Sequence, residues 1–385
     1  MVQRPLATLS FAMFVLVALV RCSSDGVSGP NVVPVTVGNC GAGTYANEPC
    51  ISVGVCAPGT NNCQIIPNIL VDTGSFGLRV FRGLVQVPLI PVTDPNSNAI
   101  AECVSYAGNT ADWGPVQLAD ITLGQTLASS VPIQLIDVSF GQVPQSCQNP
   151  DVSPQSAGFN GILGIGILQS DCGATCANSA NNNSYFACSS QMGCQGTAVP
   201  LESQVANPLF SMAGVNNGFI LTFPSVSGVG QATLSGSLIL GIGTQSNNTP
   251  PGPVSVLATD AYGDMVTLMQ GATLPGSSFD SGTNGYFFPS SLPPCPGSTG
   301  LYCPSGPLTV TATNSAIGSG VTAPVTFVIQ NAQQQLATGF GVLPGFAGTN
   351  SQGFLWGLPF FYGRTLYFGL QNQPSTLGVG PYFAF

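Results

Sequence analysis

The sequence contains no histidine and no lysine, and its 5 basic residues are all arginine. Only 5% of its 385 residues are charged, against about 25% in an average globular protein. Each absence removes chemistry. Without histidine there is no Ser-His-Asp or Cys-His nucleophile and no histidine-ligated zinc. Without lysine there is no Schiff base and no Ser-Lys pair, and no P-loop with its lysine. The few cations and a net charge of −9 argue against a nucleic-acid partner. Apart from tyrosine and cysteine, carboxylates are the only strong acid/base groups left. So little charge also suits an acidic medium, in which a carboxylate pair would be half protonated.

What is present favours strands. The chain is 44% apolar, with 49 Gly and 32 Pro, and Val, Ile, Thr and Phe are plentiful. That composition reads as short strands joined by turns, an all-β chain long enough for two domains. No long amphipathic helix stands out.

One stretch organises the rest. Ile69-Leu70-Val71-Asp72-Thr73-Gly74-Ser75-Phe76-Gly77-Leu78 is an apolar run that delivers an aspartate into a tight turn. Ser278-Phe279-Asp280-Ser281-Gly282-Thr283-Asn284-Gly285-Tyr286-Phe287-Phe288 repeats the order Asp, hydroxyl, Gly, hydroxyl, any residue, Gly, 208 positions downstream (280 − 72). A lone Asp-Thr-Gly is an ordinary turn. Two copies, one per half and each beside apolar sequence, are hard to reach by chance.

Around these loops the chain divides as follows. Residues 1–21 read as a signal peptide, with Arg4 as the positive start and Leu9 to Val20 as the apolar stretch. Leu19-Val20-Arg21-Cys22 resembles a bacterial lipobox, in which Cys22 would be lipidated and tether the chain to a membrane; Arg21 departs from that pattern, and plain secretion is the alternative. Residues 22–48 read as a linker or N-terminal segment, with a short polar linker from Asp25 to Pro34. Residues 49–208 form a first lobe and 209–385 a second, with Asn207-Pro208 at the boundary. Setting Cys22 aside, 12 of the 13 Cys can form six disulfides in an oxidising compartment. A four-cysteine zinc site at Cys172, Cys176, Cys188 and Cys194 is the competing reading. Ile51 to Val55, a turn at Pro58-Gly59-Thr60-Asn61, and Ile65 onward read as a hairpin feeding Asp72.

Val71-Asp72-Thr73-Gly74-Ser75 and Phe279-Asp280-Ser281-Gly282-Thr283 resemble the two active-site loops of pepsin-like aspartic peptidases. Phe159-Asn160-Gly161-Ile162-Leu163-Gly164 and Leu355-Trp356-Gly357 resemble the apolar-apolar-Gly elements that support those loops. Ser105-Tyr106-Ala107-Gly108 lies where that family carries the tyrosine of its flap hairpin. The likeness runs from about Cys50 to Phe385. It implies a bilobal all-β fold, two β-barrel-like lobes with a cleft between them, in a bacterial branch of the family. It also implies an endopeptidase with catalytic Asp72 and Asp280, a peptide or protein substrate bound in the cleft as an added strand, apolar subsites, and no metal or organic cofactor. The expected assembly is a monomer.

Two adjacent carboxylates share one proton. The ionised one activates water, and the protonated one hydrogen-bonds the scissile carbonyl. Loop support falls to the remaining residues: Gly74 and Gly282 admit backbone N–H groups, Thr73 and Ser281 brace loop against loop, and Ser75 and Thr283 bond the outer carboxylate oxygens. Three departures stand out. Arg79 occupies the position of a tryptophan that pins the flap tyrosine, Ala107 replaces a glycine, and no basic prosegment precedes Cys50. Arg79 and Arg82 are expected to pair with surface carboxylates, Asp120 and Asp137 to be solvated strand-end charges, and Trp113 and Trp356 to pack in the core or the cleft rather than stack on a ligand. Two other functions compete. An inactive relative could serve as a cell-surface binding protein on the same scaffold. An all-β adhesin without a cleft would keep Asp72 and Asp280 apart.

Overall fold

The computed structural model describes residues 27–41, 45–298 and 300–385; the signal segment and Cys22 lie outside them. Strands form where short apolar runs alternate with polar residues. The clearest case is Thr322–Ile329, in which Ala323, Val325, Phe327 and Ile329 are buried and the residues between them exposed. The helices among the described residues are short, at Pro154–Ala157, Ala174–Asn178 and Ala332–Leu336. None of them is long and apolar enough to cross a membrane.

Each half delivers its aspartate in the same way. In the first, strands Glu48–Cys56 and Cys63–Asp72 form the hairpin, with the Cys56–Cys63 disulfide at its neck. The chain turns after Asp72 and returns as strand Phe76–Phe81. Strand Gly161–Ile165 slots between the two, parallel to Ile69–Asp72 and antiparallel to Phe76–Val80. In the second half, strand Ala272–Phe279 leads to Asp280. Leu355–Trp356 lies parallel to Ser278–Phe279 and antiparallel to Tyr286–Phe287. Both aspartates therefore sit at the end of a strand held on a parallel neighbour.

The two cores differ in chemistry. Around the first loop the packing is aliphatic, with Ile69, Val71, Leu78, Val80 and Leu163 fully buried. Around the second it is aromatic. Trp356 stacks on Phe354 at 3.8 Å between ring centroids and meets Phe327 and Tyr286 edge-on, and its indole Nε1 donates to Thr267 Oγ1 at 3.1 Å. That donor bond is what allows a tryptophan to be buried completely in a supporting element. Trp113 is likewise fully buried, with Nε1 donating to the Phe140 carbonyl.

The linker reading of residues 22–48 needs correction. Val32–Gly38 is a strand with Val33, Val35 and Val37 buried. It pairs with Leu234–Ile239 of the second half on one edge and with Glu48–Cys50 of the first on the other. One sheet thus runs through both halves. The alternation of valines carries this strand, and the flanking glycines and Pro34 mask it in the sequence. The cysteines pair locally: Cys40–Cys50, Cys56–Cys63, Cys103–Cys147, Cys172–Cys176, Cys188–Cys194 and Cys295–Cys303. The four thiols of the candidate zinc site are consumed in two of these bridges.

Truncating Trp356 to Ala should cost about 3–5 kcal/mol, because the aromatic stack around it cannot close over the lost volume. Ile65→Ala, at a side chain 66% exposed, should change stability by less than about 0.5 kcal/mol. Urea unfolding of both variants checks the contrast; equal losses would contradict this account of the core.

Candidate active site

The two loops meet across the halves, and each hydroxyl at the second position bonds into the opposite loop. Thr73 Oγ1 donates to the Phe279 carbonyl at 2.8 Å and accepts from the Ser281 amide at 2.9 Å. Ser281 Oγ donates to the Val71 carbonyl at 2.7 Å and accepts from the Thr73 amide at 3.1 Å. These four bonds are buried, and they form a two-fold bracket beneath the carboxyls. Low local polarity strengthens each of them and makes each costly to lose.

The carboxyls sit on this bracket. Asp72 Oδ1 accepts from the Gly74 amide at 2.8 Å, and its Oδ2 accepts from the Ser75 hydroxyl. Asp280 Oδ1 accepts from the amides of Gly282 at 2.9 Å and Thr283 at 3.1 Å, and its Oδ2 accepts from Thr283 Oγ1 at 2.6 Å. Each glycine makes room for the opposite carboxyl. A Cβ on Gly74 would lie 2.6 Å from Asp280 Cγ, and one on Gly282 would lie 2.6 Å from Asp72 Oδ1. Each carboxyl therefore abuts the glycine of the opposite loop, so the two aspartates are not kept apart as an adhesin without a cleft would require. Burial first, and the neighbouring Asp72 second, push Asp280 up to about 8.

The supporting elements explain why the loops hold this shape. The Asp280 amide donates to the Trp356 carbonyl, the Gly166 amide to the Ser75 carbonyl, and the Leu358 amide to the Thr283 carbonyl. Gly164 and Gly357 are obligatory, because a Cβ there would lie 2.5 Å from the Phe76 nitrogen or 2.1 Å from the Gly285 oxygen. Asn207, at the boundary between halves, donates to the Gly166 carbonyl and caps the short helix Pro208–Ser211.

Tyr106 is placed near the tip of a hairpin formed by Ala99–Tyr106 and Thr110–Leu123. Its side chain packs against the buried cluster of Cys40, Cys50, Leu70 and Ile162 beside the first loop. Several charges depart from expectation. Arg79 is fully buried, bonded to Glu102 Oε1 at 2.7 Å and to Asp171 Oδ2 at 3.2 Å, and it donates to the Phe76 carbonyl. Arg82 is exposed and donates to the Val85 carbonyl instead of a carboxylate. Asp120 is buried and accepts from the Gly59 and Ser130 amides, tying two turns together.

One supporting residue was missed. Asn47 Nδ2 donates to the carbonyls of Asn284 and Leu343, and its Oδ1 accepts from the Leu343 amide and the Tyr362 hydroxyl. The segment before the first lobe thereby pins the second aspartate loop with a fully satisfied amide. Its backbone φ of 62° suits asparagine, but nothing in the local sequence announces the contact.

Residues 28–385 match the model of DUF3443, described as a protein of unknown function. The chain belongs to the DUF3443 family. No curated protein matches it. Among solved structures, this DUF3443 chain is similar to an aspartic proteinase from Irpex lacteus at a TM-score of 0.51 and 16% identity. That alignment covers 92% of this chain and 96% of the other. At that identity the likeness establishes the pepsin-like bilobal fold.

The raised Asp280 value has a signed consequence. Between the ordinary 3.8 and about 8, the folded state keeps a proton that the unfolded chain has released. Stability should therefore fall as pH rises through that window, and Asp280→Asn should make the fall shallower. Urea midpoints across acidic to mildly alkaline pH test this; a variant whose stability declines as steeply as the wild type's would contradict it.

Proposed function

We propose that the chain is an exported aspartic-type endopeptidase that hydrolyses peptide bonds between Asp72 and Asp280. The reading rests above all on the reciprocal bracket of Thr73 and Ser281, which sets two carboxyls side by side, each against the opposite loop's glycine and each with its own set of donors. A pair so placed takes one proton between two acids. The ionised carboxylate draws a proton from a water molecule, which attacks the scissile carbonyl. The protonated carboxyl hydrogen-bonds the carbonyl oxygen as its charge grows. Collapse of the tetrahedral intermediate passes a proton to the leaving amine. Both carboxyls are oriented before substrate arrives, which favours catalysis because little reorganisation remains.

The substrate is a peptide in extended form between the lobes. Apolar side chains suit the half-buried rings of Tyr106 and Phe159 beside the first loop. Disulfides formed from 12 cysteines are compatible with an oxidising compartment outside the cytosol, and Cys22 would decide between a lipid tether and free secretion. Activity favours acidic pH and falls on the alkaline side as the shared proton is lost, and in strong acid as the second carboxyl is protonated.

The test is cleavage of an unfolded protein by the mature, disulfide-bonded chain from acidic to neutral pH. Asp72→Asn and Asp280→Asn should each lower the rate by roughly 10²–10⁴-fold, and a statine-type analogue should block the wild type. A folded sample that cleaves nothing at any pH would overturn the peptidase and favour an inactive binding protein on the same scaffold.

A further inference from the structure

Leu70, Ile162, Arg79 and Gln134 are successive partners across four strands. Paired residues project from the same face of a sheet, so these four side chains form one row. The opposite face carries the aliphatic core. The hairpin Ala99–Leu123 closes over the row. Within it Asp112 lies opposite Val104, on the face that also carries Tyr106 and Glu102. Tyr106 donates its hydroxyl to Asp112 Oδ2 at 2.9 Å. Glu102 binds Arg79 Nη2, and Gln134 Nε2 donates to the carbonyls of Glu102 and Asp112. Asp171, anchored by the Tyr185 hydroxyl at 2.8 Å, completes the cluster.

This is an expensive arrangement. Arg79, Glu102, Asp112 and Gln134 are all fully buried, in a chain with 5 cations in all. Arg79 Nε, Glu102 Oε2, Asp112 Oδ1 and Gln134 Oε1 have no protein partner among the described residues. Apolar side chains would fill the same space at lower cost. A packing role alone does not account for it, whereas a requirement for one fixed hairpin position does.

We propose that Asp112 is a positioning residue for the peptidase reaction: its carboxyl holds the Tyr106 side chain, and the hairpin tip that carries it, against Leu70 and Ile162 beside the first aspartate loop. The proposal rests on the peptidase reading above. Arg79 connects the two regions, since it donates to the Phe76 carbonyl on the strand leaving that loop and pairs with Glu102 on the hairpin. The titratable and charged groups that face Asp112 are Asp151 from a neighbouring loop, Arg79 from the returning strand, and Tyr106 and Glu102 from the hairpin itself. Burial first, and Asp151 next, push Asp112 up to about 7, so at acidic pH it accepts the tyrosine bond as a neutral acid. Burial and then Asp112 raise the Tyr106 phenol well above its ordinary value, so it remains the donor.

The experiment compares Tyr106→Phe, Asp112→Ala, their double variant and Asp112→Asn in the mature chain, with two readouts. One is kcat/KM for a peptide substrate; the other is hydrogen exchange of the amides of residues 104–112. Tyr106→Phe and Asp112→Ala should each lower kcat/KM about tenfold, the worth of one such bond. The double variant should be no worse than either single. Asp112→Asn keeps an acceptor oxygen and should stay within about threefold of wild type. Hairpin amides should exchange faster in the first three variants and not in the asparagine variant. Losses that multiply in the double variant, or an asparagine variant as impaired as the alanine one, would overturn the proposal. Unchanged exchange would overturn it whether or not the chain cleaves peptides. Faster exchange in those three variants of a chain whose wild type cleaves nothing would uphold the Asp112–Tyr106 anchor and count against the peptidase reading instead.

Discussion

Two acids 208 residues apart are held together, and the bonds between Thr73 and Ser281 make that possible. Like charges at short range repel, and burial adds a desolvation cost to each. The loops offset both through fixed donors: two for Asp72, and three for Asp280 counting both amides and the threonine hydroxyl. The parallel strand beneath each loop, the glycines that admit the opposite carboxyl, and the sheet joining the halves all serve this contact. Even the segment before the first lobe contributes, through Asn47 and the Asn284 carbonyl.

Scarcity of charge gives the remaining charges specific places. Arg79 and Glu102 are buried together under the hairpin. Burial works against the Arg79 charge, and its carboxylate partners, Glu102 first, more than offset it. Asp120 joins two turns, and Glu48 accepts from the Cys40 amide with its carboxyl pushed up to about 7 by burial. Several acids thus keep their protons well above the usual carboxylate range. A fold carrying such groups loses least in acid, where the unfolded chain is protonated too.

The sequence made the loops legible because a doubled motif constrains far more than a single one. It also made the hairpin into Asp72 legible, because Pro58-Gly59-Thr60-Asn61 separates two alternating apolar runs. The strand Val32–Gly38 was hidden by the polar residues before it and by Pro34, although its alternating valines carry the period of a strand. Arg79 did leave a signal: an arginine between Leu78 and Val80, and a glutamate within Ala99-Ile100-Ala101-Glu102-Cys103, place opposite charges in strands that are otherwise apolar. Arg79 taken alone reads as a surface pair, since its partner lies 23 residues away on another strand. Asn47 left no signal, because its partners at Asn284, Leu343 and Tyr362 are brought to it only by the tertiary fold.

The shared proton is the most direct test of the central claim. Carbon-13 labelling of the aspartate carboxyls, with Asp72→Asn and Asp280→Asn used to assign the two resonances, follows their titration in the folded protein. The account predicts that the pair titrates in two separated steps, the upper near about 8, and that removing either partner changes the titration of the other. Two carboxyls that titrate independently, both in the ordinary carboxylate range, would contradict it.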